Sequence, residues 1–338
     1  MVVIAITGGA SGIGYEAARQ LSSVPEVTKI VITARSAQKA DGAISKLVKE
    51  TGKDKSFYDS VIVELGDLTS IKAAVASFPA FDRLCLNAGG IGTGKMHASG
   101  NGITDTMVIN TMGHAALVDG LLAVGKIPAG SRVVYVGSEA ARGLWGYCPM
   151  LPNNYCGTFK EKDMDWAIGK DFDGCCSCVP IVRQMGDYRN AKIMGHLHFV
   201  NLAKEHPESH WITVSPGSVG GSVGEGAHFP MRQTTAYCPC ILRCAGMAPA
   251  CSAASSVKIG TKRYVDVLTG DFGKYPTGSM PMSGTTCCRF WGACGGPMVD
   301  NRPLVMYFKD EALCEKATAK VREWNKKWES QAPGQVTM

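Results

Sequence analysis

Short apolar runs alternate with helical patterns along most of this chain. The runs predict strands at 2–6, 29–34, 61–65, 84–86, 132–136, 211–215 and 304–308. The spacing between them predicts helices from just after Gly14 through Leu21 and at about 37–50, 103–124 and 309–329, with another that starts near residue 69. Short, fully apolar strands are typical of a parallel sheet that is buried on both faces. The alternation therefore predicts an α/β fold, with one doubly wound sheet of about seven strands in a single domain, 1–338.

Composition excludes several functional classes. The 35 Lys and Arg residues exceed the 29 Asp and Glu residues by six, but they are scattered along the chain, which argues against nucleic-acid binding. No run of 18 apolar residues is present, so no transmembrane segment is expected. The chain enters a strand at once, with no targeting segment visible, which suggests the cytoplasm or an organelle stroma. Peripheral membrane contact and a homo-oligomer both stay open.

A glycine-rich turn follows the first strand and precedes a helix. There the backbone can approach a pyrophosphate closely, and the helix N-terminus offers N–H groups and the positive end of its dipole. The alternative is a glycine turn that binds nothing. The residues predicted to bind a dinucleotide cofactor here are Thr7, Gly8, Ser11, Gly12, Ile13 and Gly14.

The residue after the second strand bears on which cofactor is bound. No carboxylate lies between Thr28 and Gln38, whereas Arg35 stands where a cation suits a ribose 2′-phosphate. We therefore expect NADPH or NADP⁺, although Arg35 could equally be a solvated side chain. Asp67 and Leu68 follow the third strand. The Asp67 carboxylate could bond the adenine amino group, cap the next helix, or do both.

Further candidates lie beyond the next strands. Asn87, Ala88 and Gly89 follow the fourth strand, where small residues let the backbone run beside a cofactor. Asn110 lies inside a predicted helix, which is locally unfavourable and suggests a specific role. Other members of this set are Ser138 after the fifth strand and Pro216 and Gly217 after the sixth.

Tyr188 and Lys192 are four residues apart in a helical pattern, so they lie on one helix face. An ammonium beside a phenol favours the phenolate and lowers a pKa that is ordinarily about 10. The pair could therefore act as a general acid or base near neutral pH. Such a spacing also arises by chance, so its interpretation depends on the cofactor motifs and on Ser138.

Together these motifs resemble the short-chain dehydrogenase/reductase family, by motif over about residues 2–217. The resemblance implies a Rossmann-type fold and a catalytic tetrad of Asn110, Ser138, Tyr188 and Lys192. In that family the Tyr exchanges the substrate proton, while the Lys lowers its pKa and holds the nicotinamide ribose. The Ser binds the substrate carbonyl and the Asn keeps a water chain. Tyr188 and Lys192 would therefore also contact the cofactor.

Two departures from the family pattern concern the substrate side. Fifty positions separate Ser138 from Tyr188, and the extra segment, about 142–185, predicts a lid or binding loop. The usual Thr after Pro-Gly is missing; Ser218 or Ser222 could replace it. We expect residues 218–255 to cover the substrate. The long insertion resembles the protochlorophyllide reductase and retinol dehydrogenase branch, although Arg189 and Ala191 replace the Lys and Ser of the former.

The chain contains fourteen cysteines. Two clusters could bind zinc, but they lack paired C-x-x-C knuckles, so we expect reduced thiols and no metal. The clusters are Cys238, Cys240, Cys244 and Cys251, and Cys287, Cys288 and Cys294.

The sequence thus predicts an NADPH-dependent oxidoreductase. It would transfer hydride to an apolar carbonyl or conjugated double bond, with Tyr188 as proton donor. One alternative is a light-dependent enzyme like protochlorophyllide reductase. Another, of a different class, is a structural or assembly subunit that retains the reductase fold and its cofactor.

Overall fold

The computed structural model describes residues 1–93, 95–97, 102–138, 141, 161, 164, 180–217, 219, 257–283, 298–300 and 309–331. The strands are β1 (Val2–Ile6), β2 (Val27–Ala34), β3 (Tyr58–Ile62), β4 (Arg83–Leu86), β5 (Arg132–Val136), β6 (His210–Val214), β7 (Pro281–Ser283) and β8 (Met298–Asp300). The α-helices are α1 (Gly12–Leu21), α2 (Ala37–Thr51), α3 (Leu68–Ser77), α4 (Asp105–Met107), α5 (Gly113–Ala123), α6 (Pro180–Glu205), α7 (Val257–Thr269) and α8 (Glu311–Gln331). A π-helical turn, Val108–Met112, joins α4 to α5, and short 3₁₀ turns lie at Lys55–Phe57 and Phe272–Lys274.

The first six strands form one parallel sheet in the order β3-β2-β1-β4-β5-β6. The chain moves outward from β1 to β3, returns to β4 on the other side of β1, and continues outward to β6. The direction of winding therefore reverses between β1 and β4. In open parallel sheets, ligands bind at such a switch point, outside the carboxyl ends of the strands. The doubly wound α/β fold predicted from the sequence is confirmed.

A seventh stretch lies along the outer edge of β6. The Gly278 amide donates to the Trp211 carbonyl at 2.6 Å, and the Thr213 amide donates to the Ser279 carbonyl at 3.0 Å. These bonds satisfy backbone groups that an edge strand would leave exposed. The predicted strand at 304–308 lies outside the described residues.

Apolar side chains pack against both faces of the sheet. Alternate residues of β1 point to opposite sides, with Ala5 in one core and Ile4 and Ile6 in the other. The first core lies under α3, α5, α6 and α8, and the second lies under α1, α2 and α7. This two-sided burial accounts for the continuous apolar runs in the sequence.

Some predicted bounds were wrong. The third strand was expected at 61–65 but spans Tyr58–Ile62, because it pairs with β2 and ends opposite Ala34. Val63 and Leu65 lie beyond the end of β3 but are buried, so their alternating apolar positions resemble the pattern of a strand. Helix α6 begins at Pro180, inside the stretch assigned to the insertion. The remainder of 142–185, apart from residues 161 and 164, lies outside the described residues. So do the two cysteine clusters and, apart from Val219, residues 218–255.

Helix α7 was missed by the sequence analysis. It packs against α1 in the second core, burying Tyr264 and Leu268 on a spacing of four residues. The described part of the chain contains no helix that is both long and apolar enough to cross a bilayer.

Helix α8 packs along α6 on the opposite side of the sheet. One apolar stripe of α8 is buried: Leu313, Ala317, Val321, Trp324 and Trp328. Arg322 on the polar flank forms a two-pronged ion pair with Glu205 of α6, at 2.7 and 3.1 Å. The two tryptophans, each nearly fully buried, supply large apolar surfaces that help to fix α8 on the fold.

We expect Trp324→Ala to lower the free energy of unfolding by about 3–5 kcal/mol, because it leaves a large cavity at a side chain that is 2% exposed. Urea denaturation followed by circular dichroism measures the change. Lys326→Ala is the matched control on the exposed face of α8 and should change stability by less than about 0.5 kcal/mol. Equal effects in the two variants would show that α8 is not packed as described.

Candidate active site

The glycine turn between β1 and α1 is shaped by steric contacts. A side chain on Gly14 would collide with the Gly8 carbonyl and the Asn87 amide, so the turn closes only with glycine there. Gly8 and Gly12 have φ values of +67° and +55°, which favour glycine. Apart from its chain neighbours and the nearby backbone of α1, no atom of the described residues lies within 4 Å of a Cβ placed on Gly12, and the Ser11 side chain does not cap α1. The first N–H groups of α1 therefore face an open side of the turn.

Thr7 joins β1 to β4. Its hydroxyl oxygen accepts hydrogen bonds from the Asn87 and Ala88 amides, at 2.8 and 2.9 Å, and lies 2.9 Å from His114 Nε2. His114 Nδ1 lies 3.3 Å from the carbonyl of Asn110. Burial lowers the pKa of His114 to about 3, so the imidazole is neutral. The network is satisfied when Nδ1–H donates to Asn110 and the Thr7 hydroxyl donates to Nε2.

Asn110 lies in the π-helical turn with its side chain fully bonded. Nδ2 donates to the carbonyls of Gly90, at 2.7 Å, and Thr106, at 2.8 Å, while Oδ1 accepts from the Gly90 amide at 3.2 Å. A Cβ on Gly89 would collide with Asn110 Oδ1, so only glycine at position 89 leaves room for the side-chain amide of Asn110. The Asn110 carbonyl accepts from the Tyr135 hydroxyl at 3.0 Å. Asn110 thus holds the loop after β4 against the π turn.

Lys192 and Tyr188 lie one turn apart on α6. The Lys192 ammonium is 5.7 Å from the centre of the Tyr188 ring, and Lys192 is only 3% exposed. Its Nζ donates to the Val136 carbonyl at 3.0 Å, two residues before Ser138. The Ser138 amide donates to His196 Nε2, at 3.3 Å, from the next turn of the same helix. Helix α6 therefore brings Tyr188 and Lys192 to the carboxyl end of β5, where Ser138 lies.

Burial lowers the pKa of Lys192 to about 7. No carboxylate of the described residues contributes to that shift. A buried ammonium without a carboxylate partner is expensive, and perturbed groups of this kind concentrate at functional sites.

The cofactor candidates on the outer strands lie at the same edge of the sheet. Arg35 is 68% exposed, with Nε 4.0 Å from Glu64 Oε2. Asp67 is exposed and caps α3 by accepting from the Thr69 amide at 2.8 Å, as one of the two predicted roles requires, and Leu68 is buried beside it. Beyond β6, the Pro216 carbonyl accepts from Arg263. Ser218 and Ser222 lie outside the described residues.

The model of the family described as short chain dehydrogenase matches residues 2–148, which hold the glycine turn, the loop after β4, Asn110 and Ser138. This part of the chain is therefore similar to the short-chain dehydrogenase/reductase family. The chain is similar to a short-chain dehydrogenase/reductase of Armillaria gallica, at 27% identity over 228 residues, 64% of this chain and 65% of that protein. It is also similar to retinol dehydrogenase 12 of Homo sapiens, at 30% identity over 141 residues, 41% of this chain and 43% of that protein. The matches therefore span less than two thirds of either relative.

Solved structures support the same fold. A protein of unassigned function from Mycobacterium paratuberculosis superposes with a TM-score of 0.63 at 17% identity, over 96% of this chain and 94% of that one. At this identity the likeness shows the fold alone. The similarity to retinol dehydrogenase 12 supports the retinol dehydrogenase side of the branch that the sequence resembles.

Near the site lie residues that the sequence did not predict, among them Tyr264, Tyr135 and His196. The Tyr264 hydroxyl of α7 donates to the Ile13 carbonyl at 2.7 Å and so ties α7 to the start of α1. Tyr135 and His196 contact Asn110 and Ser138. The apolar spacing of α7 could have indicated Tyr264. Tyr135 lies within an apolar strand pattern that hides its polar contact.

We expect Lys192→Met to stabilise the fold by roughly 2–4 kcal/mol below pH 7, although it disrupts the site. The pKa of Lys192 is about 7 when folded and 10.5 as its model value. Between these values the unfolded chain binds more protons, so wild-type stability rises with pH. The advantage of the variant should therefore be full below pH 7 and vanish near pH 10.5.

Urea denaturation at pH 6, 8 and 10 measures this difference. The control is Lys204→Met, which removes a partly exposed lysine of α6 that is paired with Glu311 and Glu315 and should bring no gain. An advantage of Lys192→Met that stayed constant with pH would contradict the buried ammonium.

Proposed function

We propose that this chain is an NADPH-dependent reductase that transfers hydride to an apolar carbonyl or conjugated double bond. The observation that carries the proposal is the buried Lys192 ammonium between the Tyr188 ring and the end of β5, at the switch point of the sheet. A scaffold would have no use for an ammonium buried at a cost to stability.

The residues present fit a dinucleotide. The open side of Gly12 and the uncapped N-terminus of α1 offer N–H groups to a pyrophosphate. The loop from Asn87 to Gly89, fixed by Thr7 and Asn110, would run beside the nicotinamide half, and Lys192 would reach its ribose. The cofactor supplies the hydride when it is bound.

The side chains of the site would handle the proton. A carbonyl that gains hydride at carbon must gain a proton at oxygen to become an alcohol, and the Tyr188 hydroxyl would donate it. The Lys192 cation would stabilise the phenolate that remains, and the Ser138 hydroxyl would donate to the developing oxyanion. Solvent then returns the proton to Tyr188. His114 would take no part in this transfer, because it is neutral and its nitrogens are bonded.

The preference for NADPH rests on Arg35. Its ion pair with Glu64 joins two exposed side chains at 4.0 Å, so the pair is weak and leaves the guanidinium available to a phosphate. A phosphate dianion forms stronger bonds with an arginine than an exposed carboxylate at that distance does. The Ser36 side chain caps α2 by accepting from the Lys39 amide, which keeps Arg35 at the end of β2.

The class of substrate follows from the family and the apolar covering segments predicted from the sequence. An assay of NADPH absorbance with retinoid aldehydes, steroid ketones and short aldehydes tests it. Protochlorophyllide under illumination tests the light-dependent alternative. A protein that binds NADPH but oxidises it with none of these substrates would instead support the scaffold.

For cofactor choice, we expect Arg35→Asp to weaken NADPH binding by about 10–100-fold and NADH binding by less than about threefold, because a carboxylate repels the 2′-phosphate. Glu64→Gln is the matched variant and should tighten NADPH binding modestly, since it removes the competing partner. Fluorescence titration with both cofactors measures the constants. Equal loss of both would show that Arg35 does not face the phosphate.

For the chemistry, Tyr188→Phe should lower kcat by roughly 10²–10⁴ while NADPH affinity persists, because only the proton donor is removed. Ser138→Ala should lower kcat by roughly 10²–10³ through lost stabilisation of the oxyanion. Tyr58→Phe is the control: it removes a buried hydroxyl that bonds Ser22 and Thr51 at the amino end of the sheet. Wild-type turnover in Tyr188→Phe would mean that the proton comes from another group.

A further inference from the structure

Tyr135 is buried beneath the candidate site, where it contacts two members of the predicted tetrad. Its hydroxyl donates to the Asn110 carbonyl at 3.0 Å, and the centre of its ring lies 5.2 Å from the Lys192 ammonium. Burial raises the pKa of Tyr135, so the phenol stays neutral and acts as a hydrogen-bond donor. It belongs to β5 and so connects the sheet to the π turn and to α6.

A glycine in α6 makes room for this phenol. Gly195 lies within the helix, where glycine is less favourable than alanine. A Cβ at this position would collide with the hydroxyl and ring of Tyr135. Phe199, which also belongs to α6, stacks on the Tyr135 ring, and the centres of the two rings are 4.5 Å apart. The helix is therefore shaped around Tyr135 in the turns that follow Lys192.

Among the residues that the structure describes, the groups around Lys192 supply little negative charge. From β5 come the Val136 carbonyl and the face of Tyr135; from α6 comes the face of Tyr188. From the start of α5 comes His114, which is neutral and acts weakly against the charge. An aromatic face attracts a cation most strongly when water is excluded, so the two rings take the role that a carboxylate would otherwise have.

We propose that Tyr135 is a positioning residue for the reaction. Its ring stabilises the ammonium of Lys192, and its hydroxyl holds the carbonyl of Asn110 by a hydrogen bond. Together these contacts fix α6 and the π turn relative to Ser138 on β5. Tyr135 acts through these residues and touches no substrate. Its effect on turnover rests on the proposed function, but its effect on Lys192 does not.

Titration of Lys192 by NMR, with isotope-labelled lysine side chains, tests the ring directly. Lys192→Arg identifies the signal by removing it. Tyr135→Met, which replaces the ring by a flexible apolar chain, should lower the pKa of Lys192 by about 0.5–1.5 units below the wild-type value. Tyr135→Phe keeps the ring face and should change it by less than about 0.3 units. The same titration in Tyr135→Met as in wild type would overturn the role of the ring.

If Tyr135→Met does not fold, pentafluorophenylalanine at position 135 replaces it. That ring has nearly the shape of phenylalanine but a reversed quadrupole, so it should lower the pKa of Lys192 relative to Tyr135→Phe. An unchanged value there would likewise overturn the proposal.

Turnover tests the hydroxyl separately. Tyr135→Phe should lower kcat about 5–50-fold with KM for NADPH within about threefold, because the π turn loses the bond that seats Asn110. In Tyr135→Met the loss of kcat/KM on the alkaline side should begin at lower pH than in wild type. That displacement should disappear in a Lys192→Arg background, since arginine does not titrate in this range. Wild-type kcat in Tyr135→Phe, or a displacement that persisted with arginine, would refute this part. A wild type inactive on every substrate would instead contradict the proposed function and leave the NMR result standing.

Discussion

The carboxyl edge of the sheet depends on one hydroxyl, that of Thr7. Where β4 ends, the Asn87 and Ala88 amides have no strand partner, and buried N–H groups must find an acceptor. The Thr7 hydroxyl oxygen accepts hydrogen bonds from both amides, and the hydroxyl donates its proton to His114 Nε2. His114 Nδ1–H in turn donates to the Asn110 carbonyl in the π turn. Valine has the same shape as threonine but would remove the hydrogen-bond partner of the buried His114 ring and of two partly buried amides at once. The arrangement also requires a neutral imidazole, which burial provides.

This network explains how Lys192 can be buried beside it. Hydrogen bonds join the loop after β4 to the π turn, and the Lys192 ammonium packs beside these two segments. Because His114 is neutral, it places no full positive charge next to Lys192. The ammonium then depends on the Val136 carbonyl and on two aromatic faces. Burial of the ammonium lowers the stability of the fold, but it holds the cation in a fixed position beside Tyr188.

Much of the fold could be predicted because buried parallel strands leave a local signature. The residues of β1 and β5 were predicted without error, since an apolar run bounded by polar residues has one interpretation there. The third strand was misplaced because its ends are set by pairing with β2, which is a non-local constraint. The α7 helix was missed although its pattern is local. The spacing of Tyr188 and Lys192 predicted a shared helix face, and the geometry of α6 places them so.

The supporting contacts were beyond sequence analysis for a physical reason. Tyr135 looks like one more apolar strand residue, and Gly195 looks like a weakness in a helix; their meaning appears only when β5 and α6 are packed together. The same holds for Thr7 and His114, which are 107 positions apart. Each member of such a pair is unfavourable alone: a buried hydroxyl without an acceptor, or a helix glycine with nothing to admit. A change at one member should therefore be tolerated only with a change at the other.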